Sequence, residues 1–180
     1  MRIIAFTGMP FSGKSEAVKI AKEKGIPIIR MGDMVWEEVR KRGLELCDKN
    51  VGFVANEMRE IHGKHVWAEK TIEKIKSMDD KDFIVIDGVR NIEEIDLFKK
   101  ELGKQFIVIA IRVSDETRYK RAMSRDRPDD SKDIGKVKER DHRELGWGLG
   151  DVIESADIMI PNEGNIDDFR KQVKKLLNGL

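Results

Sequence analysis

Apolar residues fall into two alternating patterns along the 180-residue chain: short unbroken runs, and longer stretches with apolar positions three and four apart. The first pattern suits strands buried on both faces and the second suits amphipathic helices. The run Arg2-Ile3-Ile4-Ala5-Phe6 predicts a first strand. Residues 15–24 predict a helix, with Ala17, Val18, Ala21 and Lys22 at helical spacing. A second strand is expected over 26–30, then a helix over 33–41 closed by Gly43. Two further helical stretches, 51–62 and 65–78, are separated by Gly63. D-F-I-V-I-D at 82–87 reads as a buried strand, and 92–102 as a helix ending at Gly103. A strand follows at 106–113, and a helix at 115–126 is stopped ahead of Pro128. Residues 129–133 are turn-like, 137–144 helical, 156–160 a last strand and 166–177 a last helix. Strands alternating with helices imply a parallel sheet covered on both faces, with ligands at the carboxyl ends of its strands.

Composition changes this picture little. The chain has 35 basic and 34 acidic residues and a net charge of +1, which argues against a bulk nucleic-acid binder. The abundance of Lys and Glu is a composition common in proteins from hot environments. Cys47 is the single cysteine, so neither an intramolecular disulfide nor a cysteine-based zinc site can form. His62, His65 and His142 show no metal-ligand spacing. There is no repeat, linker or low-complexity tract, so one domain is expected. No apolar run approaches membrane-spanning length and no signal peptide precedes the first strand, so the expected location is cytoplasmic.

The chemistry is concentrated in residues 8–15, G-M-P-F-S-G-K-S, which fit the phosphate-loop pattern G-x-x-x-x-G-K-[ST]. The pattern sits between a predicted strand and a predicted helix, the context its chemistry requires. Gly8 and Gly13 let the backbone curl, so that consecutive N–H groups of the loop can point inward at a phosphate. The following helix adds the positive end of its dipole. Lys14 can reach the β- and γ-phosphates of a bound nucleotide, and the Ser15 hydroxyl can ligate Mg²⁺.

Three weaker elements follow predicted strands. Asp87-Gly88-Val89-Arg90 closes the 82–87 strand. Taken alone, Asp87 reads as a turn residue; beside a phosphate loop it reads as a support for Mg²⁺, and Arg90 as a donor fork for a second phosphate. Met31-Gly32-Asp33-Met34 follows the second strand, where Asp33 can cap the next helix and also shape an acceptor pocket. Arg118, Arg121 and Arg125 share a helix face, followed by Arg127, Arg140 and Arg143. As a group they suit a helical lid that brings positive charge to a migrating phosphoryl group and keeps water out. Trp36, Trp67 and Trp147 read as packing residues.

In this order the motifs resemble the nucleoside monophosphate kinase group of phosphate-loop proteins. G-M-P-F-S-G-K-S, M-G-D-M-V, V-I-D-G-V-R and an arginine-bearing lid follow the adenylate kinase plan. The ending A-D-I-M-I-P-N-E-G before a helix resembles dephospho-CoA kinases. The nearest resemblance is to an archaeal family related to both. It implies an α/β P-loop NTPase three-layer sandwich: a five-stranded parallel sheet between helices, with core 1–30, 81–125 and 146–180, an acceptor-binding insert over 31–80 and a lid over 126–145. It further implies ATP and Mg²⁺ as cofactors and a small nucleotide-like acceptor as partner. By the same resemblance Gly8 to Ser15 hold the donor phosphates, Ser15 and Asp87 the metal, and Asn162 the donor base. Gly32, Asp33, Gly88 and Arg90 face the acceptor, and Arg121, Arg125, Arg140 and Arg143 stabilise charge. Two departures stand out. Trp36 occupies the place of an arginine that grips the acceptor phosphate, leaving Arg40 or Arg59 as substitutes. Phe11 stands where glycine is common and narrows the acceptor side. An NTP hydrolase or nucleotide-responsive binding protein is the alternative reading.

Overall fold

In each expected strand, successive residues point to opposite faces, and here both faces are apolar. A computed structural model, which describes residues 2–78, 82–124 and 133–179, places these strands in one five-stranded parallel sheet. The strands are β1 (Arg2–Thr7), β2 (Ile28–Arg30), β3 (Phe83–Asp87), β4 (Phe106–Arg112) and β5 (Ile158–Pro161), in the spatial order β2-β3-β1-β4-β5. The β1–β3 register sets Phe6 against Asp87, and the β2–β3 register sets Arg30 against Asp87. The last residues of three neighbouring strands therefore meet at one edge.

Each face of the sheet has its own core. Ile4 and Phe6 of β1, Val85 of β3 and Ile109 and Ile111 of β4 pack against α1 (Lys14–Glu23) and α9 (Ile166–Gly179) through Ala17, Val18, Phe169 and Val173. The alternate residues Ile3, Ala5, Ile84, Ile86 and Val108 pack on the other face. They meet α2 (Met31–Lys41), α3 (Asp48–His62), α4 (Val66–Lys76), α5 (Ile92–Leu102) and α8 (Leu149–Glu154). Trp67 of α4 is almost wholly enclosed in that core. The strand period of two thus gives helices to both faces, making the three-layer α/β P-loop NTPase fold that the sequence implied.

The remaining helices, α6 (Asp115–Ser124) and α7 (Ile134–Gly146), pack on one another above the carboxyl edge. Their small apolar cluster joins Ala122 of α6 and Val137 of α7 to Phe11 of the glycine loop.

Several boundaries differ from expectation. The second strand starts at Ile28, because Gly25, at φ 74, and Pro27 are used to turn the chain out of α1. The next helix starts at Met31, so Gly32 and Asp33 lie within its first turn. Arg30 is its N-cap, and Asp33 is a first-turn acid placed to favour the helix dipole, not a cap. α3 begins at Asp48 and α7 at Ile134, each three residues ahead of the expected start: the first turn of α3 is polar, and that of α7 has an exposed Ile134 followed by Gly135 and Lys136, so neither carries a buried periodicity. α8 was missed altogether: six residues give too little repeat to read. A 3₁₀ turn, Gly103–Gln105, joins α5 to β4.

Candidate active site

The glycine loop connects β1 to α1 at the carboxyl edge of the sheet. Its two glycines are required by space as much as by torsion. A Cβ on Gly8, at φ 143, would lie 2.5 Å from the Ile111 carbonyl oxygen. One on Gly13, at φ 107, would lie 2.3 Å from the Asn162 amide nitrogen. Phe11 also has a left-handed backbone, φ 64. This explains why glycine suits that position, and holding a side chain there costs about 1–2 kcal/mol. Burial of the ring against Ala122 and Val137 offsets that cost and ties the loop to α6 and α7.

Lys14 begins α1, and its ammonium donates to the carbonyls of Gly8 and of Met9, the latter at 3.0 Å. Burial, with the nearby Arg90 cation, pulls its pKa down to about 7, against the opposing pull of Glu144 and Asp87. A cation held this uneasily is one that an incoming polyanion would stabilise. Ser15 is exposed on the first turn of α1, and Asp87 is half-buried at the end of β3; both line the same cleft. No cluster of three or more potential metal-ligating side chains occurs among the described residues. Mg²⁺ does not need one, since it keeps several waters and takes one or two protein oxygens beside the phosphates. A loop closed to a Cβ at Gly8 and Gly13, one exposed hydroxyl and one carboxylate fit Mg²⁺ bound to a nucleotide.

The cleft has a volume of ≈ 690 Å³ and runs from the glycine loop to α2, α3 and α7. Along it lie Pro10, Phe11, Ser12, Gly13, Lys14, Ser15, Gly32, Asp33, Asp87 and Gly88, together with Arg59, Arg90, Arg121, Arg140 and Arg143. Arg40 does not: it sits on the exposed side of α2, so of the two substitutes for the arginine absent at Trp36, Arg59 is the one at the cleft. Trp36 lines the cleft and is partly open to solvent. Asn162 lies behind the loop. Its side-chain amide donates to the Ser12 carbonyl at 2.8 Å and it is buried over Gly13, so it supports the loop from below and does not line the cleft. Arg125 and Arg127 lie outside the described residues.

The arginines divide by what they hold. Arg118 faces inward from α6 and is fully buried. It makes a two-pronged contact with Asp141 of α7 at 3.0 and 2.7 Å, another with Asp115 at 2.6 Å, and donates to the Pro10 carbonyl at 3.0 Å. It fastens α6, α7 and the glycine loop together. Arg121 donates to the Asn162 carbonyl at 2.7 Å, after β5, and to the Ser12 carbonyl of the glycine loop at 3.5 Å. Arg143 bridges α7 to Asp48 of α3 at 2.8 Å.

Two buried carboxylates that the sequence reading passed over organise the rest. Glu144 lies between Arg90 at 3.2 Å and Arg140 at 3.0 Å. Burial alone would push its pKa up, but Arg90, Arg140 and Lys14 outweigh this and bring it to about 2. Glu94, wholly buried in α5, accepts from the Arg90 backbone N–H at 2.7 Å and from Arg59 at 3.2 Å. Burial raises its pKa and Arg59 opposes the rise. Its backbone N–H donates to the Asn91 side chain at 2.8 Å, so Asn91 and Glu94 form a capping arrangement. That signal, N-x-x-E ahead of an amphipathic helix, was present in the sequence. Glu144 had only its four-residue spacing from Arg140 to mark it. Trp147, expected to be packing, is flanked by the Arg59 guanidinium at 4.6 Å and that of Arg143 at 5.8 Å, and its indole N–H donates to Asn56 of α3.

A β-strand, a loop whose Gly8 and Gly13 admit no side chain and a helix carrying Lys and Ser at its start, set in this strand order, define an α/β P-loop NTPase of kinase-like fold. Comparison with known proteins agrees. A family model described as an AAA domain matches residues 7–136. The chain belongs to the archaeal UPF0200 family: a UPF0200 protein of Methanosarcina barkeri is 46% identical over 178 residues, 99% of this chain and 95% of that one. A UPF0200 protein of Hyperthermus butylicus is 44% identical over 99% of this chain and 94% of its own length. Among solved structures, TT1252 from Thermus thermophilus superposes with a TM-score of 0.65 at 16% identity, covering 99% of this chain and 97% of that one. Shikimate kinase from Aquifex aeolicus superposes with a TM-score of 0.52 at 17% identity, covering 98% and 96%. These two likenesses concern the fold. Among the described residues no helix is long and apolar enough to cross a membrane.

Proposed function

We propose that the protein is an ATP- and Mg²⁺-dependent phosphotransferase that moves the γ-phosphoryl group to a small nucleotide-like acceptor. The observation that carries this reading is the single cleft in which the glycine loop, Asp87 and several arginines from separate elements converge. The loop N–H groups and Lys14 bind the donor phosphates; Ser15 and Asp87 hold Mg²⁺, which supplies charge neutralisation at the phosphates. In this reading Arg90, Arg121, Arg140 and Arg143 stabilise charge on the migrating group, with Arg125 as a further candidate. Gly32, Asp33 and Gly88 shape the acceptor side, within an insert over 31–80, and residues 126–145 act as a lid. Catalysis is by positioning and charge stabilisation, with no covalent protein intermediate.

The test is a coupled ATP-consumption assay across nucleoside monophosphates and dephospho-CoA, with a control lacking acceptor. Acceptor-dependent turnover is the expected result. Equal turnover with and without every acceptor would replace the kinase by a hydrolase.

A further inference from the structure

A second groove lies at the amino ends of β1, β3 and β4, across the sheet from the nucleotide cleft at their carboxyl ends. A six-residue strand such as β1 sets the two about 20 Å apart. The groove has a volume of ≈ 860 Å³. Its floor is apolar, with Ile26, Phe83 and Ile107 half-buried. Its rim is basic, with Arg2, Lys24 and Lys104 exposed beside one exposed carboxylate, Asp82. An apolar floor ringed by cations suits a protein surface that presents apolar side chains flanked by Asp or Glu.

Both ends of the described chain open here: Arg2, at the start of β1, and Gly179, at the end of α9, line the groove. A relative from Archaeoglobus fulgidus, named UPF0200/UPF0201 protein, gives that placement a meaning. It is 43% identical over 178 residues, which take in 98% of this chain but 55% of that one. The rest of that protein, roughly 145 residues, has the size of a separate domain, and the name joins a second family to this one. The matched stretch spans nearly all of this chain without a gap of that size, so the second domain is attached at an end. From either end it starts beside the groove. A covalent link raises the effective concentration of two domains to about the millimolar range and so serves domains that act together. Without the link, the contact itself has to hold them.

We propose that this groove docks a separate protein of the second family, UPF0201, through an apolar surface rimmed by carboxylates. This chain and its partner then form from two chains the assembly that the Archaeoglobus relative makes from one. The proposal does not rest on the phosphotransferase reading, and its site is on the opposite edge of the sheet.

The experiment uses the full chain and the second domain of the Archaeoglobus relative, released from the intact fused protein at a protease site placed between its halves. The two halves should still elute together after cleavage. Calorimetry should show the released domain binding this chain one to one, with a dissociation constant on the order of micromolar. Affinity should fall roughly fivefold from about 50 to about 500 mM salt, as the rim charges are screened. Reversing two of them, Lys24→Glu with Lys104→Glu, should weaken binding at least about tenfold. Both side chains are exposed, so Tm should hardly change. Lys49→Glu, an exposed reversal on α3 outside the groove, should bind like the parent. The proposal is overturned if the cleaved halves separate, if the released domain does not bind this chain, or if the double reversal binds like the parent. It is also overturned if this chain pairs with itself and the double reversal abolishes that pairing, since the groove would then be an interface between two copies.

Discussion

The two ends of the cleft are built from different materials. At the glycine loop the groups that face a phosphate belong to the backbone, and the side chains behind them brace it: Asn162 and Arg121 on the Ser12 carbonyl, Arg118 on Asp141, Asp115 and the Pro10 carbonyl. At the opposite end the groups are side chains from α3, α7 and the loop after β3, and several of their N–H donors have no partner among the described residues. Ser12 Oγ and Arg118 Nε at the first end are likewise buried without a hydrogen-bond partner among the described residues, so the ends differ in what faces the cleft, backbone against side chain. The difference suggests a division of labour: the shape of the loop chooses a nucleotide phosphate, and the balance of arginines against Glu94 and Glu144 chooses what faces it.

That contrast is most easily broken at Glu144, where the largest effect is expected. Its pKa of about 2, against an ordinary 4.5, corresponds to about 3 kcal/mol of stability. The sign follows from a depressed folded-state pKa: the contribution is complete above 4.5 and is lost as pH falls toward 2. Glu144→Gln should therefore cost about 3 kcal/mol at pH 7, lowering Tm by roughly 10 °C, and parent and variant should converge in acid. Thermal melts from pH 7 to 2 check this. An unchanged Tm at pH 7 would mean that the Arg90–Glu144–Arg140 arrangement does not hold the acceptor end together.

Next in size is the donor end. Lys14→Ala should lower turnover about 10²–10³-fold, as for loss of one preorganised charge at a developing anion. It should not lower Tm, because a buried ammonium whose pKa is pulled down to about 7 is a burden on the ligand-free fold. Loss of activity together with loss of Tm would place Lys14 among the structural residues. Asp87→Asn should have a smaller and more selective effect. ATP affinity measured by calorimetry should drop about tenfold in the presence of Mg²⁺ and hardly at all without it. Equal losses in both conditions would make Asp87 a structural cap.

The same contrast explains what could be read from the sequence. Residues 8–15 are contiguous and their geometry is local, so the loop, its strand and its helix were legible, as was the five-stranded parallel sheet. The two-residue alternation of Ile3, Ala5 against Ile4, Phe6 also made the two cores legible. The acceptor end was not legible to the same degree, because its members are separated in sequence by up to 88 positions, from Arg59 to Trp147, and meet only through packing. Arg40 and Arg59 were equivalent as letters; only the facing of α2 and α3 separates them. Arg118 matched Arg121 in spacing yet points inward, since Asp141 on another helix awaits it. Glu144 was indistinguishable from a solvated helix residue until Arg90 was placed beside it.

The smallest effect sharpens the comparison without a mutation. In the free protein Lys14 titrates near 7, lowered by burial and by Arg90. Donor phosphates would surround the ammonium with negative charge and favour its protonated form, so its pKa must rise on binding. Between these two values the complex holds a proton that the free protein lacks. Linkage then requires that nucleotide binding take up a proton and that affinity fall as pH rises through and above 7. With Lys14 still protonated in the complex at pH 8, affinity should fall roughly fivefold between pH 7 and 8, on the order of 1 kcal/mol. Calorimetry of ATP binding at pH 8 in buffers of different ionisation enthalpy measures the uptake directly, and approximately one proton is expected. Binding at the acceptor end should show no such uptake, because its arginines remain charged throughout this range. A nucleotide that binds without proton uptake, or more tightly at pH 8 than at pH 7, would mean that Lys14 remains on the Gly8 and Met9 carbonyls when the loop is filled, and the donor end would then work through its backbone alone.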